Sequence, residues 1–211
     1  SEPYYSDDLV TLFHGDCREI LPHLPASDLL VTDPPYGMDY KPLRGADGSK
    51  RWAEGVQGDG EPFDPTHLLG HKRLILWGAN WYADRLPASG GWVVWAKTPK
   101  GHKAGFHASL AELAWTNLCS SVRKFSLQWG GEAHGGEPHL HPTQKPLALM
   151  RFLLDEFAEP GWLIVDPYMG SGPMGQVCSE LGFRYIGIEL DEAHCETAAR
   201  RLDQGVLNFT A

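Results

Sequence analysis

The segment Asp33-Pro34-Pro35-Tyr36 directly follows Leu29–Thr32, an apolar run typical of a buried strand. Each proline fixes its own φ and favours extended geometry in the preceding residue, which holds the peptide open. We therefore expect the Asp33 carboxylate and the Pro34 carbonyl to face one point, where two acceptors suit an NH₂ group with its two donors. The ring of Tyr36 adds a flat face on which a base can stack. Taken alone, the segment also fits an ordinary turn at the end of a strand.

A second segment, Asp166–Gly172, reads DPYMGSG and follows the buried-strand pattern Trp162–Val165. Gly170 and Gly172 let the backbone pass close to a ligand without a Cβ in the way. An acid about 20 residues after a glycine turn, here Glu189, suits hydrogen bonding to ribose hydroxyls. The chain has no GxxxxGKS/T pattern, which disfavours a triphosphate. A ligand with adenine and ribose but no phosphate fits better, and S-adenosyl-L-methionine meets that description. The alternative is a structural Asp-Pro turn and a surface glutamate.

These segments need a scaffold that brings strand ends together, and the apolar runs predict one. Short runs rich in Val, Ile and Leu alternate with longer mixed segments, the pattern of a mostly parallel sheet covered by helices. Seven strands are predicted, at Leu9–Phe13, Leu29–Thr32, Leu74–Trp77, Trp92–Trp95, Val122–Leu127, Trp162–Val165 and Tyr185–Ile188. Helices are predicted at Asp64–Leu69, Pro146–Phe157, Pro173–Leu181 and Glu192–Leu202. We expect one α/β domain over residues 1–211, with no second-domain linker.

Charge is unevenly distributed along the chain, whose formal net charge is −9. Residues 1–36 hold one basic and seven acidic side chains, whereas residues 97–151 hold seven basic and three acidic ones. A local basic face can attract phosphate although the whole molecule is anionic, and the alternative is a solvated basic surface. The four cysteines show no CxxC spacing, which favours reduced thiols in a cytosol over a disulfide frame or a metal site. The acidic start lacks the layout of a signal peptide, and no apolar run is long enough to span a membrane.

With these residues in hand, the chain resembles the DNA amino-methyltransferases. The expected catalytic segment, Asp33–Tyr36, precedes the expected cofactor turn, Asp166–Gly172. This order is similar to the circularly permuted motif order of the β-group of that family. His14–Cys17 is similar to the family's early GDC element, and His141–Pro146 matches its HPTQKP element. A WDK-like strand element appears as Trp95-Ala96-Lys97, without the acid, and Glu112–Thr116 looks like a segment of small phage-borne members. The resemblance covers nearly all of the chain and implies a Rossmann-like methyltransferase fold.

The resemblance also implies roles for individual residues. Asp33, Pro34, Pro35 and Tyr36 are expected to be catalytic. The residues expected to bind S-adenosyl-L-methionine are Asp16, Cys17, Thr143, Lys145, Asp166, Tyr168, Gly170, Ser171, Gly172 and Glu189. Two stretches that match no element of the family, residues 37–65 and 124–141, are the expected DNA-contacting loops. Loops of this size predict a short or degenerate recognition sequence, because each specific base pair needs its own contact.

The expected reaction is methylation of the exocyclic N6 amine of adenine in DNA, after the base has been flipped out of the duplex. The Asp in DPPY favours adenine, since cytosine-N4 members of the family more often carry Ser there. Cytosine-N4 methylation stays open, as does an inactive cofactor-binding or DNA-binding module. We expect a cytoplasmic protein, bacterial or phage-encoded in a bacterial host. The sequence leaves open the recognition site, a restriction partner and the oligomeric state, a homodimer being one arrangement.

Overall fold

The computed structural model describes residues 2–38, 58–97, 109–128 and 144–208. Thr143 and most of the stretches 37–65 and 124–141 lie outside the described residues. No helix in the described ranges is both long enough and apolar enough to cross a membrane.

The described residues form one nine-stranded sheet in the order β1-β2-β9-β8-β3-β4-β6-β5-β7. The strands are β1 (Tyr5–Ser6), β2 (Val10–His14), β3 (Leu29–Thr32), β4 (Leu74–Trp77), β5 (Trp92–Ala96), β6 (Ala111–Thr116), β7 (Val122–Ser126), β8 (Leu163–Asp166) and β9 (Arg184–Glu189). All strands except β1 and β6 run in the same direction, as the pairings along the sheet show. The predicted mostly parallel sheet is therefore confirmed, and its seven predicted strands are those that share one direction.

The prediction of seven strands was nevertheless too low, because it omitted β1 and β6. β1 has only two residues, too few for a hydrophobic pattern. β6 reads AELAWT and is half-buried over its first three residues, so its sequence lacks the apolar run of a buried strand. β6 pairs antiparallel with both neighbours, and its register with β5 places Ala96 opposite Ala111. The hairpin of β5 and β6 thus closes next to the carboxyl end of β5.

The helices are α1 (Cys17–Ile20), α2 (Leu147–Phe157), α3 (Pro173–Leu181) and α4 (Glu192–Asn208), with short 3-10 turns at Leu21–His23, Ala79–Trp81 and Ala83–Arg85. The three predicted helices near the carboxyl end are confirmed. The helix predicted at Asp64–Leu69 is wrong. Its amides bond three residues back, from Leu68 to Pro65 and from His71 to Leu68, so the segment forms successive tight turns. α1 was not predicted, because four residues are too few to show a helical period.

The sheet is buried on both faces. α2, α3 and α4 cover one face, where Leu149 and Leu153 of α2 pack in the same cluster as Ile75 and Trp77 of β4. The other face is covered by Phe63, Leu68, Tyr82 and the side chains packed around them. Because successive residues of a strand point to opposite faces, burial on both faces explains why β4 is apolar at every position.

The carboxyl ends of the strands that share one direction all lie at one edge of the sheet, which we call the active edge. β2, β3, β8 and β9 bring His14, Asp33, Asp166 and Glu189 to it. The reversed strand β6 instead begins at this edge, because Glu112 pairs with Trp95 near the end of β5. Side chains that are far apart in the sequence therefore meet here, as expected for an open α/β sheet.

Candidate active site

The two motifs found in the sequence are joined by one hydrogen bond. β3 and β8 are adjacent and parallel. Thr32, the last residue of β3, is buried, and its Oγ1 donates to Oδ1 of Asp166 at 2.7 Å. Asp33 follows directly, so its position relative to the glycine turn after β8 is fixed by this bond. The structure thus brings the predicted catalytic segment and the predicted cofactor turn together.

The turn after the catalytic segment is held by Asp59, a buried side chain that the sequence analysis did not single out. Its Oδ1 accepts from the backbone N–H of Gly37 at 2.7 Å and from that of Met38 at 3.1 Å. Gly37 has a φ of 81°, and a Cβ there would lie 2.5 Å from the carbonyl oxygen of Glu61. Only glycine fits this position, which fixes the direction in which the chain leaves Tyr36.

Tyr36 is oriented by two contacts. Its hydroxyl donates to Oδ1 of Asp33, and its ring packs against Gly78, at the end of β4. A Cβ on Gly78 would overlap Cε1 of Tyr36, and the φ of Gly78 is 66°. Burial, together with the nearby Asp33, raises the pKa of Tyr36 well above its ordinary value, so the hydroxyl keeps its proton. Gly78 is a supporting residue that the sequence analysis missed.

Lys145 lies against the carboxylate of Asp33, the predicted catalytic acid. Its Nζ donates to Oδ2 of Asp33, lies 3.5 Å from the hydroxyl of Tyr36 and is 5.6 Å from the ring centroid of Trp77. The side chain is only 6% exposed. The sequence analysis expected Lys145 to bind the cofactor, and the structure places it between Asp33 and a second acid.

That second acid is Glu112, near the start of β6. Its Oε2 lies 3.0 Å from Nζ of Lys145, and its Oε1 accepts from Nζ of Lys97. Lys97 follows β5 and also sits 4.7 Å from the ring centroid of Trp95. The four side chains form a chain of alternating charge, Asp33–Lys145–Glu112–Lys97, which we call the ion chain. Asp33 and Lys145 were predicted from their motifs, and Lys97 had a weaker signal in the WDK-like element, whereas Glu112 lay in a segment to which no role was assigned.

Burial and neighbouring charges shift the pKa values within the ion chain. Burial raises the pKa of Asp33, with Lys145 opposing this and Glu112 adding to it. Burial also acts to raise the pKa of Glu112, but Lys145 and Lys97 together hold it below its ordinary value. Burial disfavours the charge on Lys145, but the carboxylates of Asp33 and Glu112 outweigh it and raise the pKa of Lys145. Lys145 therefore stays charged between two acids.

The glycine turn after β8 is held by its own backbone and by Glu189. Oε2 of Glu189 accepts from the N–H of Gly170 and Oε1 from that of Asp191, both at 2.9 Å. Gly170 and Gly172 have φ values of 52° and 72°. Burial raises the pKa of Asp166 to about 7, although Thr32 and the N–H of Tyr168 donate to its carboxylate. The turn is thus fixed from the ends of both β8 and β9.

The turn also carries a GxGxxG spacing, Gly170 to Gly175, which the sequence analysis overlooked. The third glycine lies in α3, and a Cβ on it would come 2.8 Å from Cε1 of Tyr185 in β9. In dinucleotide-binding folds the third glycine of this pattern allows the helix to pack closely on the strand. Gly175 meets the same requirement here, which strengthens the assignment of the turn as a ligand-binding element.

The remaining predicted cofactor residues lie at the same edge. Asp16 caps α1 by accepting from the N–H of Arg18 at 2.9 Å, and Cys17 is buried. The hydroxyl of Tyr168 lies 3.0 Å from Nε2 of His67. Since β2, β9 and β8 are neighbours, Asp16, Tyr168 and Glu189 occupy one continuous part of the active edge.

Two observations test whether this part of the edge fits an adenine nucleoside. Ser171 is buried, and its Oγ has no hydrogen-bond partner among the described residues, so it can bond to a bound group. A Cβ on Gly172 would lie 2.8 Å from the Cβ of Ala198 in α4, so the turn needs glycine to pass this close to the helix. The turn carries one acid, Asp166, and the hydroxyls of Tyr168 and Ser171, but no basic side chain. These residues fit a ligand with ribose hydroxyls and no phosphate.

Comparison with known proteins gives matches over nearly the whole chain. The profile of the N6/N4 DNA methylase family matches residues 75–200. Type II methyltransferase M.HinfI of Haemophilus influenzae is 27% identical over 248 residues, covering 93% of this chain and 69% of the relative. The M1.HpyAVI–SAM complex matches with a TM-score of 0.62 at 19% identity, over 92% of this chain and 100% of that one. The cytosine-N4-specific PvuII DNA methyltransferase matches with a TM-score of 0.63 at 17% identity, over 95% and 88%. The predicted Rossmann-like methyltransferase fold is confirmed.

Proposed function

The chain belongs to the N6/N4 DNA methylase family, and from this membership we propose that it methylates the N6 amine of adenine in DNA, with S-adenosyl-L-methionine as the methyl donor. One observation carries the proposal. Asp33 stands at the carboxyl end of β3, joined through the Thr32–Asp166 hydrogen bond to the glycine turn of the adjacent β8. An acceptor for an amine and a turn suited to a nucleoside are thereby held side by side.

The residues that would hold the cofactor are those of the glycine turn and its neighbours. Glu189 accepts from two backbone amides and keeps lone pairs for ribose hydroxyls, since a carboxylate has about four lone-pair sites. The unpartnered hydroxyl of Ser171 and the capping carboxylate of Asp16 supply further polar groups at this edge. When bound, S-adenosyl-L-methionine supplies a methyl group that is electrophilic because it is attached to a sulfonium.

The residues of the catalytic segment act on the target amine. The Asp33 carboxylate accepts a hydrogen bond from the NH₂ group and so orients the nitrogen lone pair away from itself. Tyr36, packed on Gly78, offers its ring to the flipped base. As the bond from nitrogen to the methyl carbon forms, the bond from that carbon to sulfur would break and release a neutral thioether, and the amine would lose one proton. Burial makes Asp33 a stronger acceptor for that proton by raising its pKa. The rate gain comes mainly from alignment and from electrostatics.

Cytosine N4 is the second candidate target. The fold shared with the PvuII enzyme favours it, because that protein's description gives cytosine-N4 specificity. Against it stands Asp33, since cytosine-N4 members of the family more often carry Ser at this position. The exocyclic amines of both bases present two donors, so the acceptors of Asp33 and Pro34 alone do not distinguish adenine from cytosine.

Nucleoside analysis separates the candidates. The full chain is incubated with isotopically labelled S-adenosyl-L-methionine and unmethylated DNA, and the DNA is digested and resolved by mass spectrometry. Labelled N6-methyldeoxyadenosine is the expected product. Labelled N4-methyldeoxycytidine would transfer the assignment to cytosine, and a lack of label in either nucleoside would reject the proposed activity.

A further inference from the structure

Both carboxylate oxygens of Asp33 carry partners in the structure. The hydroxyl of Tyr36 donates to Oδ1, and the ammonium of Lys145 donates to Oδ2. Tyr36 is neutral and leaves the charge on the carboxylate nearly intact, whereas Lys145 brings a full positive charge. An ammonium paired with Asp33 alone would neutralise the acid and weaken it as an acceptor for a substrate amine.

The ion chain contains a feature that limits this neutralisation. Nζ of Lys145 lies 3.0 Å from Oε2 of Glu112 as well as against Asp33, so one ammonium is shared by two carboxylates. The side chains are only 6% exposed for Lys145, 20% for Asp33 and 23% for Glu112. In such poorly solvated surroundings neighbouring charges act more strongly than at a surface. The charge on Glu112 therefore determines how strongly the positive charge of Lys145 acts on Asp33.

We propose that Glu112 is a positioning residue for methyl transfer: it shares the Lys145 ammonium and so leaves the Asp33 carboxylate able to accept the substrate amine. This inference rests on the proposed function, because it takes Asp33 as the group that binds the amine. Glu112 does not touch the amine in this scheme, and its effect on the plateau rate passes through Lys145.

Lys97 determines how strongly Glu112 pulls on Lys145. Its Nζ donates to Oε1 of Glu112 and lies over the ring of Trp95, which leaves Oε2 of Glu112 facing Lys145. The ammonium of Lys97 also balances one of the two negative charges of the ion chain. Without Lys97, the full charge of Glu112 would act on Lys145 and draw it from Asp33. Removing Glu112 and removing Lys97 should therefore shift the pKa of Asp33 in opposite directions.

The pH dependence of single-turnover methyl transfer gives the decisive readout, because Asp33 must be ionised to accept the amine. The groups that face Asp33 are Lys145, Glu112 and Tyr36, with Asp166 and Tyr82 close enough to be influenced by its charge. Glu112→Gln removes a charge that raises the pKa of Asp33, so the acidic limb of the profile should move to lower pH. Its plateau rate should fall about tenfold, as for the loss of one charge-assisted hydrogen bond.

Lys97→Met should move the same limb to higher pH. In a Lys145→Met background, Glu112→Gln should no longer lower the plateau rate, since that effect passes through Lys145. The acidic limb should still move to lower pH there, because the charge of Glu112 also acts directly on Asp33. The matched control is Glu156→Gln, which removes an acid from another salt bridge between a strand and a helix, that of Arg123 and Glu156. This control should keep the rate and the pH profile of the unsubstituted chain.

Cofactor affinity, measured by calorimetry, should be unchanged in Glu112→Gln and shows that the variant is folded. If that variant does not fold, the direction of the Lys97→Met shift decides alone. A normal rate and pH profile in Glu112→Gln, or a shift to lower pH in Lys97→Met, would overturn the inference. Failure of the proposed function looks different, because the unsubstituted chain would then give no labelled N6-methyldeoxyadenosine.

Discussion

At the scale of single residues, the proposed function depends most directly on the Asp33 carboxylate. Asp33→Ala should lower methyl transfer by about a hundredfold or more, the range seen when one preorganised hydrogen-bonding group is removed from an active site. Cofactor affinity should be largely kept, because Asp33 is placed at the amine and the turn after β8 keeps its own contacts. Rates with unmethylated DNA and calorimetry with S-adenosyl-L-methionine measure the two properties.

The control for this variant is Asp155→Ala, which removes an exposed carboxylate from α2. It should leave both properties unchanged. Near-normal turnover in Asp33→Ala would mean that the amine is held elsewhere.

Gly78 offers a residue-scale prediction that the structure alone suggests. In Gly78→Ala the new Cβ would overlap the Tyr36 ring, and the φ of 66° would add backbone strain. Overpacking costs typically about 1–3 kcal/mol, so the free energy of unfolding should fall by about that amount or more, and methyl transfer should fall as Tyr36 is displaced. Denaturant unfolding and the methyl-transfer rate measure the two effects.

Gly182→Ala separates strain from collision. Gly182 has a similar φ of 77°, but a Cβ there meets nothing within 4 Å. In this variant the free energy of unfolding should fall only by the cost of a strained backbone, of order 1–3 kcal/mol, and activity should be fully kept. Equal activity in both alanine variants would show that the Tyr36 position does not matter for the reaction.

At the scale of elements, the ends of β8 and β9 act together through Glu189. Its carboxylate fixes the Gly170 amide of the turn and is the group expected to meet the ribose. Glu189→Ala should weaken S-adenosyl-L-methionine binding by roughly tenfold or more, since a charge-assisted hydrogen bond is worth about 1.5–3 kcal/mol. Calorimetry measures the affinity.

Glu196→Ala serves as the comparison, because Glu196 forms an exposed ion pair with Arg200 within α4, and such pairs contribute little. Its affinity for the cofactor should match that of the unsubstituted chain. An unchanged affinity in Glu189→Ala would remove that residue from the ribose site.

The elements that the sequence predicted are those whose own residues carry the signal. β3, β4 and β8 are apolar at nearly every position because both faces of the sheet are covered. The DPPY and DPYMGSG segments are each contiguous in the sequence, so each can be recognised as a motif. β6 and the ion chain were missed for the opposite reason. Glu112 meets Lys145 only because a reversed strand begins at the active edge, and no local pattern in the sequence encodes that pairing.

At the scale of the whole molecule, a chain of net charge −9 has to approach a polyanion. We expect its affinity for DNA to come mainly from phosphate contacts of the basic side chains in residues 97–151, and to fall steeply as the salt concentration is raised. Two loops leave little material for reading base edges, since each base pair that is read needs a contact worth about 1–3 kcal/mol. The methylated sequence should therefore be short or degenerate.

Mapping methylated positions across a long natural DNA tests this expectation, with DNA treated with the Asp33→Ala protein as the background. A single fixed site of six or more base pairs would contradict it. Binding that is insensitive to salt would contradict the phosphate contribution on its own.

The hairpin of β5 and β6 has a consequence for how such a molecule can diversify. Ala96 and Ala111 face each other across the pairing, and the amide of Lys97 bonds to the carbonyl of Leu110, so both ends of the intervening chain are pinned at the active edge. Lengthening a segment between fixed ends costs only about 0.6 kcal/mol for each doubling of its length. Insertions or exchanges between Lys97 and Leu110 should therefore leave the pairing of β5 with β6 intact, so that evolution can vary the length of this segment at little cost to stability.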